Sequence, residues 1–421
     1  MMTNTRTRLV PLMAIALLMV VGRMARAETL RPGDSVAICG DSITEQRLYS
    51  LYMEEYLLMC QPVPDLKATQ FGWSGETSGG FLARMANDVL VFKPTVATTC
   101  YGMNDGGYAA STPDRLKQYR EATEGIVKAF KDAGVRFIVV GSPGAVDTTT
   151  FKRPDPTVYN QTLSDLRDIA RDVASQQGVA FADVHTAMTE AMSKAKARYG
   201  TAYHVAGPDG IHPAANGQLI MAYAFLKALG CTGQIGTITF DMKAGKAQAS
   251  AGHKVLKASQ GSVEVESSCY PFCFFGEPNR PNATRGIIEF LPFNEDLNRF
   301  CLVVKNASAA KVKVTWGDQA KIFVAADLEK GINLAAEFLD NPFSGPFAKV
   351  EGLIKSQQAF ETPAIKSLLH TVPQWEKTLP EAKGTLDRLR RQLIDRDVVL
   401  RKAARAAVVP VRHTIKIESA D

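Results

Sequence analysis

The chain of 421 residues is poor in several features that would have set its class at once. After residue 27 no apolar run approaches the roughly 20 residues that a membrane-spanning helix needs. No glycine-rich phosphate loop follows the first apolar run, which removes the usual signature of a nucleotide-binding sheet. Cysteine and histidine do not recur at regular metal-ligand spacing, so a zinc centre is not expected. An excess of one charge is missing too. The formal net charge is +6, and the first 27 residues hold Arg6, Arg8, Arg23 and Arg26 with no acid, so the remainder carries +2. A balance so near neutral gives no electrostatic footprint for nucleic acid. Internal repeats and long low-complexity linkers are also lacking.

What is present begins with that arginine-bearing start. Residues 9–21 are apolar, and Ala25-Arg26-Ala27 places small residues where a signal peptidase reads. The pattern is that of a secretory signal peptide over residues 1–27, cleaved after Ala27, which predicts a periplasmic or secreted protein without stable membrane insertion. No cysteine sits at the cleavage point, so a lipid anchor is not expected. Export permits disulfides, and the seven cysteines include Cys269 and Cys273, spaced for a local bridge, while Cys39 and Cys100 read as buried strand thiols.

Residues 28–232 alternate short apolar strands with helical spacing. Strands are expected at 35–39, 66–71, 95–101, 135–141 and 179–184, and helices at 46–59, 80–91, 113–132, 156–177 and 216–228. Thr112-Pro113 and Gly134 supply a cap, a first-turn proline and a stop for one of these helices. The rhythm implies a parallel sheet with helices on both faces. Residues 233–330 change to β-prone runs at 236–240, 253–258, 262–266, 286–291, 300–305, 312–316 and 321–324, read as a smaller antiparallel β domain. Residues 331–421 are helical, interrupted by prolines, and end in an alternating run at 411–418 that would return to the β domain. The basic residues between Arg388 and Arg405 read as the wet face of an amphipathic helix.

Chemistry is concentrated at strand ends, where open α/β sheets bind ligands. Gly40-Asp41-Ser42 closes the first strand, and Ser42 is a candidate nucleophile. A serine hydroxyl needs an imidazole to take its proton and a carboxylate to orient that imidazole. His212, with Asp209 three residues earlier in Pro208-Asp209-Gly210-Ile211-His212-Pro213, supplies both. Asp41 is too close along the chain to serve as the acid. Gly75 and Asn104 follow the second and third strands. With the Ser42 amide, the Gly75 amide and the Asn104 side chain make three donors for an oxyanion. Trp73 and Tyr108 flank these loops as substrate contacts, and His204 is a weaker candidate to line the site.

Taken in order, Gly40-Asp41-Ser42, Gly75, Gly102-x-Asn104-Asp105 and Asp209-x-x-His212 resemble the four blocks of the SGNH (GDSL-type) hydrolase family. The loop from Ser74 to Gly80 is similar to that of bacterial multifunctional thioesterase/lysophospholipase members. Ile43 stands where the family name has leucine, an apolar-for-apolar change. The resemblance covers about residues 33–230 and implies an α/β fold: a flavodoxin-like three-layer α/β/α sandwich with a parallel sheet, here joined to the smaller β-rich domain and its helical carboxyl-terminal segment. It implies Ser42, Asp209 and His212 as a triad, an oxyanion hole from Ser42, Gly75 and Asn104, and no cofactor or metal. The expected activity is an exported serine carboxylic-ester hydrolase that removes O-acetyl or other short acyl groups, with acetylated polysaccharide as a candidate partner. Two readings stand beside it: a lysophospholipase or thioesterase for long acyl chains, and an inactive binding or scaffold protein.

Overall fold

The computed structural model describes residues 29–420. The expected signal peptide over residues 1–27 lies outside the described residues, and among the described residues no helix is long and apolar enough to cross a membrane.

Five strands, β1 (Ser35–Gly40), β2 (Lys67–Gly72), β3 (Val96–Cys100), β4 (Phe137–Gly141) and β5 (Ala180–Ala182), form one parallel sheet in the order β2-β1-β3-β4-β5. This is the flavodoxin-like order, with its switch point between β1 and β3. Because strand side chains alternate, β1 feeds two cores. Val36 and Ile38 point into one with Tyr49, Met53, Met188 and Leu219, while Ala37 and Cys39 point into the other with Phe81, Ile126 and Leu166. The three-layer sandwich follows from that alternation.

Two helices start and stop as their caps predict. Thr112 accepts from the Arg115 N–H at the head of Pro113–Asp132, and Asp155 accepts from Thr157 and Val158 at the head of Pro156–Gln177. The expected helix over 46–59 is broken. A short helix Ser42–Glu45 ends, Arg47 takes a left-handed conformation (φ 59°), and helix resumes at Tyr49–Glu55 before widening into a π-turn at Tyr56–Cys60. A helix at Val184–Tyr199 is additional to the sequence reading. Its signal was present, since Val184, Met188, Ala191 and Ala195 recur at helical spacing and are buried, and Asp183 caps it.

Beyond Cys231 the chain builds two sheets. One is mixed, in the order β13-β10-β6-β7, from β6 (Gln234–Asp241), β7 (Lys246–Ala249), β10 (Arg299–Lys305) and β13 (Ile332–Asn333), and β10 runs parallel to β6. The other is antiparallel, in the order β12-β11-β14-β9-β8, from β8 (His253–Ser259), β9 (Ser262–Ser267), β11 (Lys311–Trp316), β12 (Gln319–Val324) and β14 (Val411–Ala420). The parallel pair corrects the purely antiparallel expectation. Residues 286–291 are turns, not a strand: Gly286 runs against the Pro278 carbonyl, and Ile287 and Phe290 make local turn bonds to Thr284 and Ile287. The final alternating run does return, and β14 lies between β9 and β11 with His413, Ile415 and Ile417 buried. The helix Ser344–Pro363 lies over the helix Tyr49–Glu55 and β2, where Glu361 accepts from the Gln70 N–H at 2.9 Å.

All seven cysteines are free thiols, so the expected Cys269–Cys273 bridge is not formed. The two thiols have different surroundings: Cys273 Sγ donates to the Pro271 carbonyl, while Cys269 Sγ lies against Gly252. Cys39 and Cys100 are buried, as their strands require.

Phe225 is fully buried, stacks on Tyr49 at 5.7 Å and presses on Gly141, where an added Cβ would meet its ring at 2.4 Å. Phe225→Ala is expected to cost about 3–5 kcal/mol of unfolding free energy. Urea denaturation followed by circular dichroism reads this as a lower midpoint, and a loss well under 1 kcal/mol would show that the ring is not part of the core that holds β4.

Candidate active site

Ser42 is the first residue of the helix that follows β1. The turn needs Gly40, where a Cβ would meet Thr44 Oγ1 at 2.0 Å and the Cys100 carbonyl at 3.0 Å. Asp41 caps the helix by accepting the Ile43 N–H at 3.0 Å. It therefore acts on the backbone of the turn and leaves the imidazole to another carboxylate.

The segment before the helix Ala215–Ala228 carries the other two residues. Asp209 Oδ1 accepts the N–H groups of Ile211 and His212, both at 2.9 Å, which folds the chain back on itself. Its Oδ2 lies 2.6 Å from His212 Nδ1. His212 Nε2 lies 2.8 Å from Ser42 Oγ. With Nδ1–H donating to the carboxylate, Nε2 is left with its lone pair toward the serine hydroxyl. Burial alone would raise the Asp209 carboxyl, but hydrogen bonds from the His212 amide and ring and the Ile211 amide outweigh it and hold it below the ordinary carboxylate range. An ionised acid, an oriented ring and a hydroxyl in one chain can transfer a proton from serine as it attacks a carbonyl.

Gly75 and Asn104 sit on the loops after β2 and β3. Gly75 has φ 75°, a conformation that glycine adopts without strain. The loop is tied to β1 by the Trp73 N–H, which donates to the Gly40 carbonyl at 3.0 Å. Asn104 Nδ2 donates to the Glu76 carbonyl at 3.0 Å, and its Oδ1 accepts from the Tyr108 hydroxyl at 2.9 Å. That fixes which end of the amide is the donor and leaves its second N–H for a ligand.

Several supporting groups were not assigned from sequence. Asp105 accepts from the Ser78 N–H, the Ser78 hydroxyl and the Gly102 N–H. Burial raises its pKa despite those three donors. Glu76 and Arg84 form a buried pair (Nε–Oε1 2.5 Å, Nη2–Oε2 2.8 Å), and Tyr101 also donates to Glu76. None of these has a local spacing that would betray it, because the partners come together only through the fold.

Trp73 lines a surface depression with Gly75, Glu76, His370 and Pro373. Its ring touches His370 at 4.7 Å and the cations of Arg84 and Lys366 at 4.8 and 4.9 Å. Tyr108 has the Arg153 guanidinium 3.7 Å from its ring centre. Among the described residues no hydrogen bond or ring contact joins His204 to Ser42, Asp209 or His212. The His204 carbonyl instead accepts from Asn216. Among the described residues no group of three or more His, Cys, Asp or Glu side chains is arranged to hold a metal ion.

Residues 33–220 match the GDSL-like Lipase/Acylhydrolase family. An acetylxylan esterase of Geobacillus stearothermophilus is 24% identical over 212 residues, which cover 47% of this chain and 91% of that protein. A gut microbial diltiazem-metabolizing enzyme of solved structure has 22% identity and a TM-score of 0.71, over 94% of this chain and 100% of its own. At that identity the likeness is one of fold, and it extends through the β-rich and helical regions.

Asp41 provides a test of the turn. Burial raises its pKa from 3.8 to about 7, against the lowering effect of the Ile43 N–H, with Asp105 and Glu76 adding to the rise. The folded state therefore keeps a proton that the unfolded chain releases. The resulting stability is present in full below the ordinary carboxylate range and is lost as pH rises through about 7. Asp41→Asn keeps an acceptor for Ile43 and cannot ionise. Its stability relative to the parent, measured by urea unfolding at several pH values, is expected to improve from pH 4 to about pH 7 and to level off above that. A constant difference would show that Asp41 does not titrate in this way.

Proposed function

From a GDSL-like lipase/acylhydrolase domain, the domain of a serine ester hydrolase, we propose that this chain cleaves short acyl esters, acetyl above all, from carbohydrate outside the cytoplasm. Ser42 is the nucleophile, His212 the general base and then acid, and Asp209 the group that orients and stabilises its imidazolium. The Ser42 and Gly75 amides and the Asn104 side chain bind the oxyanion. Ser42 attacks the ester carbonyl while His212 takes its proton, and the leaving alcohol receives that proton as the tetrahedral intermediate collapses. Water activated by His212 then releases the acid from the acyl-serine.

The observation that carries this reading is the unbroken chain from Ser42 Oγ through His212 to Asp209, at 2.8 and 2.6 Å. The acetyl and carbohydrate preference is supported by the likeness to an acetylxylan esterase. Trp73 and Tyr108 are the proposed substrate contacts beside the oxyanion loops.

A fluorophosphonate probe is expected to label the parent protein and not Ser42→Ala. Asp209→Asn should lower kcat roughly 10⁴-fold by leaving the imidazole in the wrong tautomer. Asn104→Ala should lower it about 10²–10³-fold with little change in KM. Across p-nitrophenyl acetate to palmitate the rate should fall with chain length, and acetylated xylan should release acetate. Preference for palmitate would replace the acetyl reading with the long-chain one. Failure of the parent protein to label would instead favour the inactive scaffold.

A further inference from the structure

Gly75 is held from both sides, and the carboxyl-terminal helical segment reaches each support. On one side, Glu45, three residues after Ser42, accepts from both the N–H and the hydroxyl of Ser74. Lys366 Nζ sits 2.8 and 2.9 Å from the two oxygens of that same carboxylate. On the other side, Arg84 grips Glu76, and Asp88 Oδ2 lies 3.5 Å from Arg84 and 2.9 Å from His370 Nδ1. His370 and Lys366 also both lie against the Trp73 ring.

The peptide between Ser74 and Gly75 carries the Gly75 N–H. Gly75 has no side chain, and an added Cβ there would meet nothing within 4 Å, so packing at this residue does not hold that peptide in place. Its orientation must come from the neighbouring residues. Glu45 is one anchor, but its side chain is partly exposed (21%) and needs its own partner to stay in place. The bidentate approach of Lys366 supplies it.

We infer that Lys366 is a positioning residue for acyl transfer, acting through Glu45 and Ser74 to aim the Gly75 amide at the oxyanion. The inference rests on the proposed role of Gly75 as a donor. It gives the helical carboxyl-terminal segment a part in catalysis although it contributes no atom to the reacting group. Burial would raise the Glu45 carboxyl, and the bonds from Lys366 and Ser74 instead hold it below the ordinary range, as expected of an ionised anchor.

The test uses the full chain with p-nitrophenyl acetate and a fluorophosphonate. Lys366→Met is expected to lower kcat about 10–100-fold with KM within about threefold, the signature of a misplaced transition-state contact. The fluorophosphonate labelling rate should fall in the same proportion. Lys366→Arg should restore most of both, because it can still pair with Glu45. Glu45→Ala should reproduce the kcat loss, and the double variant should be scarcely worse than either single one. A Lys366→Met enzyme within about twofold of the parent, or effects of the two changes that multiply, would overturn the inference. So would a loss that Lys366→Arg does not rescue and that follows the melting temperature. A parent protein that neither turns over nor labels would overturn the ester chemistry beneath it, which the labelling distinguishes from a failure of Lys366 alone.

Discussion

The hydrogen bond between Ser42 and His212 joins residues 170 positions apart, and the rest of the site is organised so that it can form. The β1–β3 switch point lies at the carboxyl ends of the strands, where open α/β sheets bind ligands. The Gly40 turn delivers the serine there. The Asp209 fold-back presents the imidazole to it. Both ends are locally constrained by backbone hydrogen bonds to carboxylates, Asp41 to Ile43 and Asp209 to Ile211 and His212. Each local turn is therefore set before the two are brought together, which reduces the conformational freedom lost when they meet.

Around the oxyanion side the protein buries ionisable groups at some expense. Glu76 and Arg84 are withdrawn from water, and Asp105 is held among three donors. Buried ion pairs are a poor source of net stability, since desolvation offsets much of their attraction. Their effect here is directional. Glu76 offers its carbonyl to Asn104, and Asp105 ties the Gly102 turn to Ser78, so the loops after β2 and β3 are locked to each other.

The region after Cys231 is joined to the sandwich by a continuous apolar core. Met188 and Leu219 of the sandwich belong to the same buried cluster as Phe240, Phe293, Phe300 and Trp316. The strand signals in this region were legible wherever one face is buried: Val312, Val314 and Trp316 alternate, and so do His413, Ile415 and Ile417. Residues 286–291 have a similar composition but are held in turns by local bonds to Thr284 and Ile287 and by the close approach of Gly286 to the Pro278 carbonyl. The pairing of β10 with β6 is non-local, and strand composition does not distinguish a parallel neighbour from an antiparallel one.

The sequence alone determined the sandwich, because side-chain periodicity, helix caps and turn residues act over a few positions and leave their mark in order along the chain, and the four proposed site blocks were legible through their resemblance to a known family. Thr112-Pro113, Asp155-Pro156 and Asp209-x-x-His212 each act within such a window. Tertiary structure alone decided which groups meet across long separations. Lys366 reaching Glu45 and His370 reaching Asp88 both depend on how whole elements pack. A charged or aromatic side chain has many partners open to it along the chain, and only the folded geometry selects one.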